Sequence, residues 1–222
     1  MSLREEVAAA ARRLAEAGLL VGTAGNVSAR EGDRIAVTGT GVVLAGCGPE
    51  QVTVVSPTGE VLEGDLVPTS ELDLHLAVHA GARGAGASAD ERGPAVVHTH
   101  APYSTAVACV LVELPVLHYQ QLLLGGEVRV APYATFGTPA LAAGVVTALE
   151  GRRAALMANH GSVAVGDSLD QAVEHALLLE WLAALHHRAS ALGTPRVLTE
   201  DQQADVITQA LSRNYGTQQE NP

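Results

Sequence analysis

The chain has 222 residues, of which 47% are hydrophobic, and its formal net charge is −11. This length and apolar content predict one compact domain with a sizeable core and no room for a second. The acidic balance excludes nucleic acid and anionic membranes as expected partners, because no stripe of basic side chains is present to neutralise phosphates.

Lysine is absent, since all 13 basic residues are arginine. Schiff-base aldolases, pyridoxal-phosphate enzymes and Walker-A nucleotidases need a lysine at the reacting centre, so these classes are excluded. The first residues lack a signal-peptide pattern and no apolar stretch is long enough to span a bilayer, so we expect a cytoplasmic protein. Cys47 and Cys109 lie in no C-x-x-C pattern, and we expect both to be buried free thiols.

A helix followed by short strands is predicted for the first part of the chain. Residues 3–17 have the apolar spacing of an amphipathic helix. Strands are predicted at 34–38 and 52–55, and the second of these turns at 56–59 into 60–62 as a β-hairpin.

Helices alternate with strands in the remainder. Thr69 or Ser70 is predicted to cap a helix over 71–79, and 81–93 is predicted to be a flexible loop. Hairpins mixed with helices indicate an α/β/α or α+β layered domain with an at least partly antiparallel sheet. The further predicted elements are helices at 103–111 and 138–149, strands near 128–130 and 156–157, a long helix capped by Asp167 or Ser168 and ending at Leu192, and a capping box at 199–202.

Two histidines in a predicted strand are the clearest sign of chemistry. His98 and His100 lie in the apolar run 94–100, where the strand period puts them on one face, roughly 6.6 Å apart along the chain. Two desolvated imidazoles without a shared partner would be costly, so the pair indicates a metal site. His160, at the end of the predicted strand 154–158, is the candidate third ligand, which would leave a tetrahedral position open as in catalytic zinc sites.

The other six histidines are interpreted as surface groups or satisfied core groups: His75, His79, His118, His175, His186 and His187. Glu71, His75 and His79 fall at i, i+4 and i+8 of a predicted helix, which would be a second metal face. We reject it as the primary site because such spacing is common on solvated faces and the H-E-x-x-H arrangement is absent.

Three polar turns have a composition that suits an anion. Segments 22–28, 38–41 and 68–70 combine glycine or a helix-capping residue with short hydroxyl or amide side chains. Phosphate fits this chemistry, although for any one segment taken alone an ordinary turn is the favoured interpretation. The glycines of 39–41 do not form a G-x-G-x-x-G motif before a helix, so a Rossmann fold is not expected.

Taken in order, five motifs resemble the class II aldolase/adducin family over nearly the whole chain. They are Gly25-Asn26-Val27-Ser28-Ala29-Arg30, Thr38-Gly39-Thr40-Gly41, Pro68-Thr69-Ser70-Glu71, His98-Thr99-His100-Ala101-Pro102 and Asn159-His160-Gly161. Within the family, segments 118–119, 131–138 and 214–216 are most similar to the L-fuculose-1-phosphate aldolases.

The resemblance implies a single-domain layered α/β/α fold with a mixed, largely antiparallel central sheet over residues 1–215, and a polar tail at 216–222. It also implies one zinc ion per subunit, a sugar phosphate substrate and a homotetramer with its sites between subunits.

Residue roles follow from the same resemblance. His98, His100 and His160 would be the zinc ligands, and Glu71 the proton-transfer group. Tyr119 of a neighbouring subunit would act on the aldehyde-side oxygen, and Phe136 and Tyr215 would line the aldehyde pocket. The residues implied in holding the substrate phosphate are Thr23, Asn26, Thr40, Gly41, Thr69 and Ser70.

The implied reaction is the reversible cleavage of a ketose 1-phosphate, L-fuculose 1-phosphate or a close analogue, into dihydroxyacetone phosphate and a small aldehyde such as L-lactaldehyde. Without a lysine to form an iminium, a Lewis acid must stabilise the charge that develops beside the carbonyl, which agrees with zinc. The alternatives are an L-ribulose-5-phosphate 4-epimerase, a methylthioribulose-1-phosphate dehydratase and a non-enzymatic adducin-like interaction module.

Overall fold

The computed structural model describes residues 1–81 and 92–213, in which six α-helices surround one nine-stranded sheet. The helices are α1 (Leu3–Glu16), α2 (Leu72–Gly81), α3 (Pro102–Ala108), α4 (Pro139–Ala148), α5 (Leu169–Leu192) and α6 (Glu200–Arg213). The strands are β1 (Asn26–Glu31), β2 (Arg34–Thr38), β3 (Val52–Val55), β4 (Val61–Glu63), β5 (Arg92–Thr99), β6 (Glu113–Leu114), β7 (Val128–Ala131), β8 (Ala154–Met157) and β9 (Gly161–Gly166).

The strands are arranged in the order β4-β3-β2-β1-β5-β9-β8-β7-β6. Neighbouring strands are antiparallel except for β7 and β8, which are parallel. This mixed, largely antiparallel sheet confirms the predicted fold class. The central strands β1, β5 and β9 are the ones that carry or adjoin the predicted site.

Helices cover both faces of the sheet. Helices α1, α3 and α5 pack on one face around buried side chains such as Leu14, and α2 and α4 pack on the other around side chains such as Leu74. Because side chains of a strand alternate between faces, Val97 of β5 joins the first layer and Val96 the second. The chain is therefore a three-layer α/β/α sandwich.

Several predicted helix termini are confirmed. Ser168 is the N-cap of α5, and its side chain accepts a backbone N–H of the first turn. Thr199 and Gln202 cap each other ahead of α6, with reciprocal hydrogen bonds of 3.0 and 3.3 Å. The Thr69 hydroxyl accepts the Glu71 N–H at 3.3 Å just before α2.

Other elements differ from the predictions. Strand β1 occupies part of the segment 22–28 that was interpreted as a turn, and β9 was not predicted. Helix α3 ends at Ala108, three residues before the predicted end. Cys47 is a buried free thiol as predicted, but Cys109 is exposed, so that prediction was wrong. Cys109 comes directly after α3 and beside the exposed Val110, where apolar neighbours do not bring burial.

Two segments with predictions lie outside the described residues. Gly81 ends α2 and residues 92–93 begin β5, so only 82–91 of the predicted loop 81–93 fall outside. Residues 214–222 also fall outside, and with them Tyr215 and the predicted tail 216–222. Among the described helices, none combines the length and hydropathy that crossing a membrane requires.

Candidate metal centre and active site

The three predicted ligand histidines come from two neighbouring strands. His98 lies on β5, directly opposite Val163 of β9, and His100 follows one residue after β5 ends. His160 lies in the short turn that joins β8 to β9, after Asn159, which has a φ of 54°. Asparagine tolerates this left-handed conformation better than most residues, so the turn that presents His160 is locally encoded.

The three rings converge on one point. The Nε2 atoms of His98 and His100 are 3.0 Å apart, and the centroids of the three rings lie 4.8 to 5.0 Å from one another. One ligand nitrogen from each ring lies within 4.8 Å of the others. The structure therefore brings together the group that the sequence predicted as metal ligands.

The donor set fits a divalent cation. The Nδ1 atom of His98 donates to the Ser162 carbonyl oxygen at 2.9 Å, which leaves the Nε2 lone pair facing His100 and His160. The Nε2 atom of His100 lies 3.0 Å from that of His98, so a divalent cation between them would be within reach of both lone pairs. Two nitrogens on a tetrahedral zinc ion, each at about 2.0 to 2.1 Å, lie roughly 3.3 Å apart, close to the spacing seen here.

Burial disfavours the charged forms of His100 and His160. Burial, followed by the neighbouring charge of His98, lowers the pKa of His100 to about 4. Burial also lowers the pKa of His160, with His98 again a further cause. Neutral rings at physiological pH are what metal binding requires, since a protonated imidazole has no lone pair to offer.

Glu71 faces the histidines from the residue before α2. Its Oε2 atom lies 3.0 Å from His98 Nε2 and accepts the Asn26 side-chain N–H at 2.9 Å, while Oε1 lies 3.3 Å from His160 Nε2. Burial raises the pKa of Glu71, but the hydrogen bond and charge of His98, together with Asn26 and His160, outweigh it and hold the pKa well below its usual range. Glu71 is therefore an ionised carboxylate at the edge of the three-histidine group.

The metal centre opens into a pocket of about 490 Å³. The isolated bridge between Gly39 and Pro68 holds two of the polar turns side by side, and the Thr40 N–H donates to the Val67 carbonyl at 2.9 Å. All six residues predicted to hold phosphate line this pocket, together with Glu71, His100 and His160: Thr23, Asn26, Thr40, Gly41, Thr69 and Ser70. The polar turns thus meet in space, which their sequences alone did not establish.

Of the three residues predicted for the aldehyde side of the substrate, the structure places one in the pocket. Phe136 lines the pocket and is 63% exposed. Tyr119 is not among the described residues that line the pocket, and its ring lies against His118 with centroids 4.5 Å apart. Tyr215 lies outside the described residues.

The pocket also contains residues that were not singled out as site residues. Tyr133 and Ala134 line it beside Phe136, and Asn159 lines it beside His160. Each lies in a segment that carried the family resemblance, so the motif itself was the available signal. Ala24, Gly25 and Gly39 complete the lining.

Comparisons with known proteins agree with this geometry. Residues 5–187 match the model of the family described as class II aldolase and adducin N-terminal domain. The 5-deoxy-D-ribulose 1-phosphate aldolase of Bacillus thuringiensis serovar kurstaki is 35% identical over 217 residues, which are 97% of each chain. The 5-methylthioribulose-1-phosphate/5-deoxyribulose-1-phosphate aldolase of Rhodospirillum rubrum is 36% identical over 208 residues, covering 93% of this chain and 90% of the relative.

A solved structure shares the fold. An L-fuculose 1-phosphate aldolase superposes with a TM-score of 0.84 at 32% identity, covering 93% of this chain and 95% of the other. The family match spans most of the chain, and the relatives are aldolases. The chain therefore belongs to the class II aldolase and adducin family, as an enzyme of the aldolase type.

Proposed function

We propose that this enzyme uses zinc to cleave a ketose 1-phosphate reversibly between C3 and C4, giving dihydroxyacetone phosphate and a small aldehyde. The observation that carries the proposal is the convergence of three imidazoles and one buried carboxylate beside a pocket lined by hydroxyl-bearing and glycine residues of the polar turns. A metal-storage role would require neither the carboxylate nor the polar turns.

His98, His100 and His160 would hold the metal. A divalent cation at this position supplies a Lewis acid that stabilises negative charge on the substrate's carbonyl oxygen. The polar turns position the substrate by its phosphate, through backbone N–H groups and the hydroxyls of Thr40 and Ser70.

Proton transfer falls to two side chains. Glu71 is buried and close to the three-histidine group. In the condensation direction its carboxylate would take a proton from the carbon beside the carbonyl, and in the cleavage direction the protonated group would return that proton. Tyr119 of a neighbouring subunit acts on the oxygen that becomes the aldehyde. The chain would then function as a homotetramer, with each site completed by a neighbouring copy.

We propose that the part of the substrate that is released as the aldehyde, from C4 onward, is small and largely apolar. Two of the relatives are aldolases of 5-deoxyribulose 1-phosphate, and the solved relative is an aldolase of L-fuculose 1-phosphate. Tyr133, Ala134 and Phe136 offer aromatic and aliphatic surface for a methyl group. We infer that 5-deoxyribulose 1-phosphate is the preferred substrate and L-fuculose 1-phosphate a weaker one.

A substrate panel tests this proposal. The purified, zinc-loaded protein is incubated with 5-deoxy-D-ribulose 1-phosphate, L-fuculose 1-phosphate, 5-methylthioribulose 1-phosphate and L-ribulose 5-phosphate, each with and without a chelator. We expect dihydroxyacetone phosphate from the ketose 1-phosphates, a loss of activity with chelator and recovery on adding zinc. Epimerised ribulose phosphate, or loss of water without carbon–carbon cleavage, would instead assign the chain to the epimerase or the dehydratase activity.

A further inference from the structure

A line of buried polar side chains runs from Glu71 into the space between the sheet and α2. Asn26 and Ser28 are two residues apart on β1, and His75 and His79 are four residues apart on α2, so each pair projects from one face of its element. Ser28, His75 and His79 are at most 1% exposed, and Asn26 is 5% exposed.

The side chains form an unbroken hydrogen-bonded series. Asn26 contacts Glu71 Oε2 at 2.9 Å through its nitrogen and His75 Nε2 at 2.5 Å through its oxygen. The Ser28 hydroxyl contacts His75 Nδ1 at 2.6 Å and His79 Nε2 at 2.8 Å. Glu71 is thus joined to His79, two helical turns further along α2, through three intervening side chains.

The carboxylate fixes the direction of every hydrogen bond in this series. Ionised Glu71 only accepts, so Asn26 must turn its N–H toward it and its oxygen toward His75. His75 must then carry its proton on Nε2, which leaves Nδ1 to accept from the Ser28 hydroxyl. Ser28 has donated its proton, so its oxygen accepts from His79 Nε2–H.

Two further observations agree with this direction. Burial lowers the pKa of both His75 and His79 to about 3, so each ring is neutral and has a single N–H to donate. That N–H is used on Asn26 and on Ser28. The other ring nitrogen of His79, Nδ1, is buried and has no hydrogen-bond partner among the described residues. This is expected if His79 is the first donor of the series, because its single N–H is then on Nε2.

We propose that His79, Ser28 and His75 form a positioning relay that keeps the Asn26 amide nitrogen on Glu71 Oε2 and so reserves Oε1, on the His160 side, for proton transfer. The proposal rests on the proposed function for the identity of the reaction. Oε1 has no hydrogen-bond partner of its own among the described residues, and it is buried next to His160 Nε2. Without the relay, only Glu71 restrains the Asn26 amide, and its nitrogen is less firmly held on Oε2.

A purely structural role does not require this arrangement. Aliphatic side chains would fill the same space without the cost of burying several polar groups, each of which must be paired. Asn26 also lies opposite His98 in the β1–β5 register and lines the pocket, so its orientation acts directly on the site. His75, Ser28 and His79 act only through Asn26 and are positioning residues.

Three variants and a control test the relay. His75→Gln keeps an N–H donor close to the position of the imidazole Nε2, His75→Leu removes it, and Ser28→Ala cuts the link to His79. Thr53→Val is the control, because Thr53 is also fully buried and its hydroxyl donates to the Leu66 carbonyl at 2.7 Å, on β3 and away from the relay. Steady-state kinetics, bound metal and thermal stability are measured for all four.

We expect His75→Leu to lower kcat by at least about tenfold with little change in KM or bound metal, because a misplaced catalytic group loses rate more than ground-state binding. His75→Gln should retain most of the kcat, and Ser28→Ala should fall between the two. Equal kcat values for His75→Gln and His75→Leu, or losses that simply follow metal content and stability as in Thr53→Val, would overturn the relay.

Nitrogen NMR of the histidine side chains gives a test that needs no substrate. In the metal-loaded protein at neutral pH, His75 and His79 should both carry a proton on Nε2 only, and Ser28→Ala should shift the His75 Nδ1 signal. A His75 proton on Nδ1 contradicts the relay even if the enzyme cleaves its substrate as proposed. The predicted tautomers in a protein that cleaves no ketose phosphate would leave the relay's geometry standing while refuting the proposed reaction and the catalytic use of Oε1.

Discussion

The two oxygens of the Glu71 carboxylate have different surroundings. Oε2 accepts from Asn26 and lies near His98, whereas Oε1 lies near His160. The lowered pKa keeps the group ionised at neutral pH, so it accepts a proton only from a strong carbon or oxygen acid presented next to it. The two oxygens therefore differ in the histidine that each one faces, and Oε1 is the one without a contact from Asn26.

Glu71→Gln should separate proton transfer from metal binding. The amide has nearly the same shape as the carboxylate but no negative charge, and we expect kcat to fall by roughly 10²-fold to 10⁴-fold, the range of a lost general acid–base group. Bound zinc should stay close to one ion per chain, because the three imidazoles remain. Steady-state kinetics and metal analysis of the same preparation check both parts.

Glu63→Gln is the matched control for that substitution. Glu63 is an exposed carboxylate paired with Arg4 and Arg34 on β4, remote from the pocket, so its loss should leave kcat unchanged. A Glu71→Gln enzyme with kcat within about threefold of the unaltered enzyme would remove Glu71 from the mechanism.

Single residues differ in how far their sequence context predicts them. The His-x-His spacing in an apolar run places His98 and His100 on a shared metal site from local geometry alone. The contact between Asn26 and His75 joins residues 49 positions apart and depends on how α2 lies against β1. No local pattern contains that information, so the buried relay was not predicted.

At the scale of the elements, β9 lies against the metal centre at one end and against α5 at the other. A Cβ at Gly161 would lie 2.3 Å from the Thr99 backbone oxygen and 3.3 Å from ring atoms of both His98 and His100. A Cβ at Gly166 would lie 2.4 Å from the Ala172 backbone nitrogen, at the start of α5. Both glycines are therefore required by close backbone approach, but only Gly161 touches the ligands.

Gly161→Ala and Gly166→Ala should have the same kind of effect on stability and different effects on metal binding. Each inserts a methyl group into occupied space, which costs about 1 to 3 kcal/mol of unfolding free energy. Gly161→Ala should also weaken zinc binding by roughly 10-fold to 100-fold, because it displaces the neighbours that orient the ligand rings. Zinc affinity measured by competition with a chelator, beside thermal melts, separates the two.

Equal zinc affinities for the two glycine variants would show that the ligands tolerate movement of β9 against β5. The requirement for glycine after His160 would then concern folding alone.

Secondary structure was predictable where turn residues or N-cap residues mark the end of a strand or the start of a helix. The hairpin of β3 and β4 and the capped helix α5 follow from turn residues and N-cap chemistry. Strand β1 was missed because five of its six residues are buried yet three of those five are polar, Asn26, Ser28 and Arg30. These three residues alternate with Val27 and Ala29 as in a strand, but the glycines and short polar side chains of 22–28 also suit a turn, and the turn interpretation took precedence.

At the scale of the whole molecule, one chain provides most of the proposed site but not all of it. Glu71, His100, His160 and the polar turns line a single pocket, and His98 groups with the other two histidines at its edge. Tyr119 lies elsewhere on the same chain, 40% exposed and next to a cluster of aromatic rings that includes His118 and Trp181. For Tyr119 to act in this reaction, it would have to reach the pocket of a neighbouring copy, since it does not line the pocket of its own chain.

Complementation between two inactive variants tests the shared site. Glu71→Gln and Tyr119→Phe should each be nearly inactive as homogeneous oligomers, since every site then lacks one of the two groups. In mixed oligomers, a Tyr119→Phe chain supplies Glu71 and a Glu71→Gln neighbour supplies Tyr119. In a ring of subunits mixed at random in equal amounts, about a quarter of the sites contain both intact groups.

The two variants are co-expressed with different affinity tags, and the doubly tagged oligomers are isolated. A tetramer of the 22.8 kDa chain has a mass of about 91 kDa, which light scattering verifies before the assay. Because selection for both tags removes the homogeneous tetramers, the expected activity rises to about 29% of that of the unaltered enzyme, and this value places Glu71 and Tyr119 of one working site on different chains. Activity no higher than in the separate variants, from a verified mixed tetramer, means that both groups act within one chain or that Tyr119 takes no part.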